Sequence, residues 1–390
     1  MESRERLEIA LEHKEADRIP IDLNGSNVTG ICSGAYKDFI CYLEEEKGIV
    51  LDNTIYIEEQ IQQLAFVEDK IKDLFGVDTI KFNADPPFTW KFIKYENEKN
   101  YYYEDEWGVT WRMPKDTPRY FDTFKRPLAG LSIDELKKYA WPDPTDHSRF
   151  ENLRNKAELH YKTTDKAIIA GHPIGPGILE EACWMTGMEE FLVNMLTDKK
   201  KSMYVLNKIN EIYIEAWDKY LDEIGDYISV CILSEDLGTQ TGSLISIGLY
   251  KEMIEPLIRK NISLIKKKTK AKVFLHSCGD VSEFIPSLID IGVDILNPVQ
   301  ISASNMDDTK KLNREYGDHI VFWGAACDPQ RILPFGSIQD VADEVKRRID
   351  ELACGGGFIF APVHNIQAGV PPENILAMFD TALQYGKYAM

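Results

Sequence analysis

A histidine and a cysteine two residues apart, His276 and Cys278, close the run AKVFLHSCG between Ala271 and Gly279. Val273, Phe274 and Leu275 form a short apolar stretch after a charged, helix-like segment, the pattern of a buried strand. Side chains two apart on a strand project from the same face, about 7 Å apart along the chain, so imidazole and thiol converge on one point. Gly279 then frees the backbone to turn into VSEFIPSLIDIG, which reads as a helix. Nitrogen and sulfur donors placed in this way are candidates for two ligands of a zinc ion. An isolated His-x-Cys is more often structural, so the reading depends on what else the fold brings to the same place.

Other strand-like runs also end in polar residues. His172 follows AIIAG, Glu235 and Asp236 follow ISVCILS, Cys327 and Asp328 follow VFWGAA, and His364 follows FIFAPV. If these ends share one face, they form a constellation of metal-ligating and acid/base groups rather than a lone motif. Each has a plainer reading. Glu235 and Asp236 could cap the following segment, with only one of them facing inward, and Asp328 could be a turn residue before Pro329. Cys32, Cys41, Cys183, Cys231 and Cys354 read as small core hydrophobes. His13, His147, His160 and His319 fall on or beside polar helical segments and read as solvated.

The elements that must position these residues alternate regularly. Strand-like runs occur at Arg18 to Leu23, 78 to 83, Ala167 to Gly171, Tyr227 to Leu233, Lys272 to Ser277, Asp294 to Asn297, Ile320 to Trp323 and Gly357 to Ala361. Helix-like segments are expected at 3 to 13, 34 to 46, 59 to 75, 188 to 224, 246 to 269, 281 to 292, 307 to 316, 337 to 352 and 372 to 386. Strand alternating with helix implies parallel pairing with right-handed crossovers. Eight strands close a barrel, so the expected fold is α/β, a (β/α)8 TIM barrel whose mouth carries the strand ends. It is read as one domain over 1-390, with residues 1-76 as an N-terminal extension plus the first strand. The alternating aromatic and charged residues at 89-113 read as an inserted β-hairpin.

Composition limits the function classes. The 390 residues carry 45 Lys plus Arg against 64 Asp plus Glu, a net charge of -19, which repels a nucleic-acid backbone and an anionic membrane surface alike. The charged opening lacks a signal-peptide apolar core, no apolar run spans a bilayer, and seven scattered cysteines suit reduced thiols, so a cytoplasmic location is expected. A homodimer is compatible with this chain.

RERLEIALEHKEADRIPID at the start, SEDLGTQTG and HSCG at strand ends, and APVHNIQAGVPPENILAMFDTA near the close resemble the uroporphyrinogen decarboxylase superfamily. More closely they resemble its branch of zinc-dependent methyltransferases that act with corrinoid proteins, such as the methylcobalamin:coenzyme M methyltransferases. The resemblance spans nearly the whole chain and implies a (β/α)8 barrel with an N-terminal helical extension. In that branch the His-x-Cys strand end supplies two zinc ligands and a cysteine in the last strand's loop supplies the third. Here His364 stands at the corresponding position, and imidazole is an acceptable zinc ligand. Cys327, one strand earlier, is the alternative third donor. The resemblance further implies that Asp236 completes the metal shell or orients a ligating histidine, with Glu235 and Asp85 as further candidate catalytic carboxylates. Asn83, His172 and Gln240 are expected to shape the substrate pocket.

The implied activity moves a methyl group between a corrinoid, methylcobalamin carried by a partner protein, and a small thiol, amine, ether or folate. Asp85 stands where true uroporphyrinogen decarboxylases have an essential aspartate, but the NGSNVTG loop lacks the arginines that would clamp propionates. Two rivals therefore stay open: a metal-free decarboxylase or lyase of a smaller acid using Asp85, and a non-catalytic subunit docking a corrinoid protein through residues 90 to 113.

Overall fold

The computed structural model describes residues 1 to 388. Seven parallel strands curl side by side in the order Phe358–Ala361, Val321–Ala325, Ile295–Asn297, Lys272–His276, Val230–Ser234, Ala167–Ala170 and Thr79–Phe82. The eighth expected strand, Arg18 to Leu23, is reduced to a bridge, Ile21 opposite Phe360. It still closes the cylinder, because Asp22 N–H donates to the Phe360 carbonyl at 2.8 Å and the Ile21 carbonyl accepts from Asp78 N–H at 2.8 Å. Pro20 has no N–H to continue a ladder, which accounts for the shortness of this stave.

Period-two alternation sorts the strand residues to two faces. Val230, Ile232, Phe274, Ile295, Val321, Trp323, Ile359 and Ala361 fill the barrel interior, and Leu7 and Leu11 of the helix Ser3–Leu11 belong to the same inner cluster. Cys231, Leu233, Val273, Leu275, Leu296, Phe322 and Phe360 face outward, where they join the larger core cluster that also takes in the surrounding helices. Each such side chain, once fully buried, stabilises the fold by roughly 1.5–3 kcal/mol before chain entropy is subtracted. The alternation decides the site: with Phe274 inward, His276 is inward too, one layer higher. It pairs with Ser234 on one side and Asn297 on the other.

Two expectations need correction. Residues 59 to 75 do not form one helix. Ile57–Glu59 and Leu64–Ala65 pair antiparallel, and only Asp69–Leu74 is helical. The Glu59 carboxylate accepts the backbone N–H groups of Ile61 and Gln62, which holds a turn where the helix was expected. The insertion is larger than a hairpin at 89–113. It is a four-stranded antiparallel meander of Tyr95–Glu96, Asn100–Glu104, Thr110–Pro114 and Asp122–Lys125. Its Tyr103, Trp107, Trp111, Met113 and Phe121 are buried, and Tyr103 stacks on Trp111 with centroids 6.2 Å apart. The long helical stretch 188 to 224 divides at Asp198, whose carboxylate caps the helix Lys199–Ile224 through Lys201 N–H. Cys41 and Cys354 are exposed, whereas Cys32, Cys183 and Cys231 are core residues. Among the described residues no helix is long and apolar enough to cross a membrane.

Candidate metal centre

His276 ends its strand inside the barrel mouth and is 4% exposed. Its Nδ1 lies 2.6 Å from Asn297 Oδ1, and Asn297 Nδ2 donates to the Trp323 carbonyl at 2.9 Å. That second bond identifies the amide oxygen as the group facing the ring, so Nδ1 carries the hydrogen and Nε2 keeps its lone pair. Nε2 is 3.3 Å from the sulfur of Cys278. A ring oriented in this way by an outer hydrogen bond is the usual arrangement of a metal-ligating histidine.

Cys278 is held through its backbone. Its N–H donates to Asp236 Oδ1 at 2.9 Å, and Gly279 N–H donates to Gln300 Oε1 at 2.8 Å. Gly279 has φ +83°, and a Cβ there would lie 2.4 Å from the carbonyl carbon of Gly238, so this close loop crossing requires glycine. His364, in the loop after the last strand, has φ 64° and its ring centroid is 5.4 Å from that of His276.

One ligand atom from each of His276, Cys278 and His364 lies within 4.8 Å of the others. A tetrahedral ion with bonds of about 2.0–2.3 Å needs donors roughly 3.3–3.8 Å apart, so the trio, all within 4.8 Å, has to close by at most about 1.5 Å. The donor set fits a metal of zinc type: two imidazole nitrogens, one sulfur and room for a fourth ligand from the cavity. Burial lowers the His276 pKa and, with the neighbouring His276 ring adding to it, brings His364 down to about 4, so both rings are neutral ligands. Burial, with Asp236 and Glu180 adding to it, raises the Cys278 thiol well above its usual value. A cation is the natural compensation for a thiolate in such surroundings.

The remaining candidates separate clearly. Asp236 lines the cavity and orients Cys278. His172 lines the cavity too, with its Nε2 buried and unpartnered, and burial takes its pKa down to about 3. Asn83 is another wall residue. Glu235 faces away from the metal trio: it accepts the N–H groups of Ile178 at 2.6 Å and Leu179 at 2.9 Å, capping the helix Ile178–Thr186, and burial raises its carboxyl to about 8. Both of its carboxylate oxygens are thus engaged in positioning that helix. Asp85 is a correction as well. Its carboxylate is 45% exposed and paired with Lys156 at 2.7 Å, and Asp85 is not among the residues lining the cavity, although Asn83 and Ala84 just before it are. Gln240 is exposed, and its backbone carbonyl, not its amide, is engaged, by Ser304 N–H. Cys327 is buried outside the trio; burial, with Glu344 and Asp328 adding to it, raises its thiol.

Some residues were missed by sequence reasoning. Asn297 stands two residues after Ile295 on a strand, the same spacing that singled out Cys278, but an amide does not stand out as a ligand. Glu180 and Glu181 are the only acids in the apolar helix ILEEACWMT and both line the cavity, which encloses about 950 Å³. The meander supplies Trp107 and Trp111 to the same cavity, so the insertion walls the site.

The family profile described as Uroporphyrinogen decarboxylase (URO-D) matches residues 105–385. No curated protein matches the sequence. Among solved structures, a methyltransferase from Methanosarcina mazei superposes with a TM-score of 0.64 at 16% identity, over 99% of this chain and 99% of that one. A GH10 endoxylanase from a sugarcane soil metagenome reaches only 0.34 at 11% identity, over 66% of this chain and 86% of its own. A glycoside hydrolase family 5 enzyme from Prevotella bryantii reaches 0.30 at 9%, over 65% and 91%.

Proposed function

The chain belongs to the uroporphyrinogen decarboxylase family, and from that premise we propose that it is a metal-dependent methyltransferase working between a corrinoid carried by a partner protein and a small heteroatom-bearing substrate. The observation that carries this reading is the meeting of His276, Cys278 and His364 within 4.8 Å at the barrel mouth. Sharing its full-length fold with a protein described as a methyltransferase agrees with the reading at the level of fold.

When bound, zinc would supply a Lewis acid that holds a thiol as thiolate or polarises an ether or amine, and the corrinoid would supply the cobalt that gives or accepts the methyl group. The chain's own part is positional. Asn297 fixes the His276 tautomer so that a lone pair faces the site. Asp236 and Gln300 fix the loop that carries Cys278. Glu235 anchors the helix Ile178–Thr186 beside the cavity. Phe274, Ile232 and Trp323 pack the barrel interior below the site. The pairing of a half-exposed Asp85 with Lys156 gives the metal-free decarboxylase alternative less support than the metal reading.

Metal analysis with methylcobalamin demethylation tests this. The wild type should hold one zinc per chain and demethylate methylcobalamin in the presence of a thiol, and His276→Ala and Cys278→Ala should lose both properties. A wild type without stoichiometric metal, or one whose metal survives both substitutions, overturns the proposal.

A further inference from the structure

The meander and the helix Ile178–Thr186 wall a chamber above the metal trio whose chemistry metal binding does not explain. We infer that this chamber holds the cationic end of a small substrate, an ammonium group, while the heteroatom at the substrate's other end meets the metal; the second half of this inference rests on the function proposed above.

Three observations carry it. The first is charge: seven carboxylates line the cavity, and among the described residues lining it Arg126 is the one permanent cation. The second is an orphan. Glu181 is 1% exposed, yet its Oε1 has no hydrogen-bond partner, while Asp105 and Glu106 nearby are occupied by Trp111 Nε1 and by Arg149. A carboxylate built into the wall without a partner asks for a donor or a cation from the cavity. Burial, with the neighbouring acids adding to it, raises Glu180 and Glu181 well above the usual carboxylate range, the state an incoming cation relieves. The third is aromatic. Trp184, partly exposed, lines the cavity and is braced edge-to-face at 84°, ring centroids 4.9 Å apart, against the buried Trp111, which fixes the indole at the wall. Indole faces are the preferred seats for alkylammonium groups. A carboxylate, sulfonate or phosphate in the same place would find one guanidinium among seven acidic groups.

An ammonium nitrogen has no lone pair for a metal, which is why two ends are assigned. The charge of Asp236 reaches Glu180 and that of Glu180 reaches Glu181, which links the acids of the chamber to the metal trio.

The test uses the purified full chain and tryptophan fluorescence. Choline and 3,3-dimethylbutan-1-ol share a shape and differ in charge, so choline should bind at least tenfold more tightly. Glu181→Gln and Trp184→Leu should each weaken choline binding at least tenfold, with zinc content unchanged. In the zinc-loaded protein, three two-carbon thiols should then rank 2-aminoethanethiol above 2-mercaptoethanol above 2-mercaptoethanesulfonate. Equal affinity for choline and its neutral isostere, wild-type choline binding by both variants, or the sulfonate binding best would overturn the inference. Choline selectivity retained by Cys278→Ala shows that the cation chamber stands independently of the metal, so failure of the metal reading alone is recognisable.

Discussion

Replacing Asn297 by leucine should loosen the metal without emptying the core. Asn297 is completely buried, its Oδ1 sits 2.6 Å from His276 Nδ1, and its Nδ2 sits 2.9 Å from the Trp323 carbonyl. Leucine has the same branched shape and heavy-atom count with bulkier ends, so no cavity is left. Two things are lost. The His276 ring no longer has a fixed tautomer, and loss of such an outer partner lowers metal affinity about 10–100-fold, or roughly 1.4–2.8 kcal/mol. The Nδ1–H and the Trp323 carbonyl are also left buried and unpaired, at about 1–3 kcal/mol of folding stability. Chelator competition measures the first quantity, and urea unfolding of the metal-free protein measures the second. Asn297→Asp keeps the acceptor, so its zinc affinity should stay within about threefold of wild type although the bond to Trp323 is gone. A leucine variant that binds zinc as tightly as wild type would refute the reasoning, because the His276 ring would then need no outer support.

Three further outcomes are expected. Burial favours the neutral form of both ligand rings, whereas the Cys278 thiol must lose its proton to bind, so zinc affinity should rise about tenfold per pH unit between about pH 6 and 7.5 with one proton released. Calorimetry in buffers of different protonation enthalpy measures this; release of two or three protons near pH 6 would mean that the rings titrate normally. Gly279→Ala forces a side chain at φ +83° into the Gly238 backbone and should lower unfolding stability by at least about 2 kcal/mol in urea, with a parallel loss of zinc. A change below about 0.5 kcal/mol would show that the two loops are not locked together. Asp85→Asn should leave methyl transfer within about twofold of wild type and shift stability by less than about 1 kcal/mol, since the Lys156 pair is exposed. A large fall in rate would return Asp85 to the catalytic machinery.

The parallel strands were readable because each is a short apolar run that must be buried on both faces, and their observed limits lie within three residues of those expected. The spacing of His276 and Cys278 was readable for the same reason, since strand alternation fixes which side chains share a face. Arg18 to Leu23 has a strand composition, but Pro20 and its two flanking neighbours limit it to a bridge, which composition does not reveal. Glu59 looked like a helix residue because the turn it holds depends on its own carboxylate folding back on Ile61 and Gln62. Asp85 follows a strand end as the inward residues do, but its carboxylate pairs with Lys156 instead of lining the cavity, and sequence spacing does not show that partner. Glu180, Glu181 and Trp184 lie on one helix and Trp111 on the meander, and only the packing of the meander against the helix Ile178–Thr186 shows that they share a cavity.

X-ray absorption at the zinc edge of the purified protein tests the central claim most directly. The expected inner shell is one sulfur near 2.3 Å and two imidazole nitrogens near 2.0–2.1 Å with one further light atom, and the sulfur should vanish in Cys278→Ser. A shell of oxygen atoms alone, or a sulfur that persists in that variant, would contradict the account.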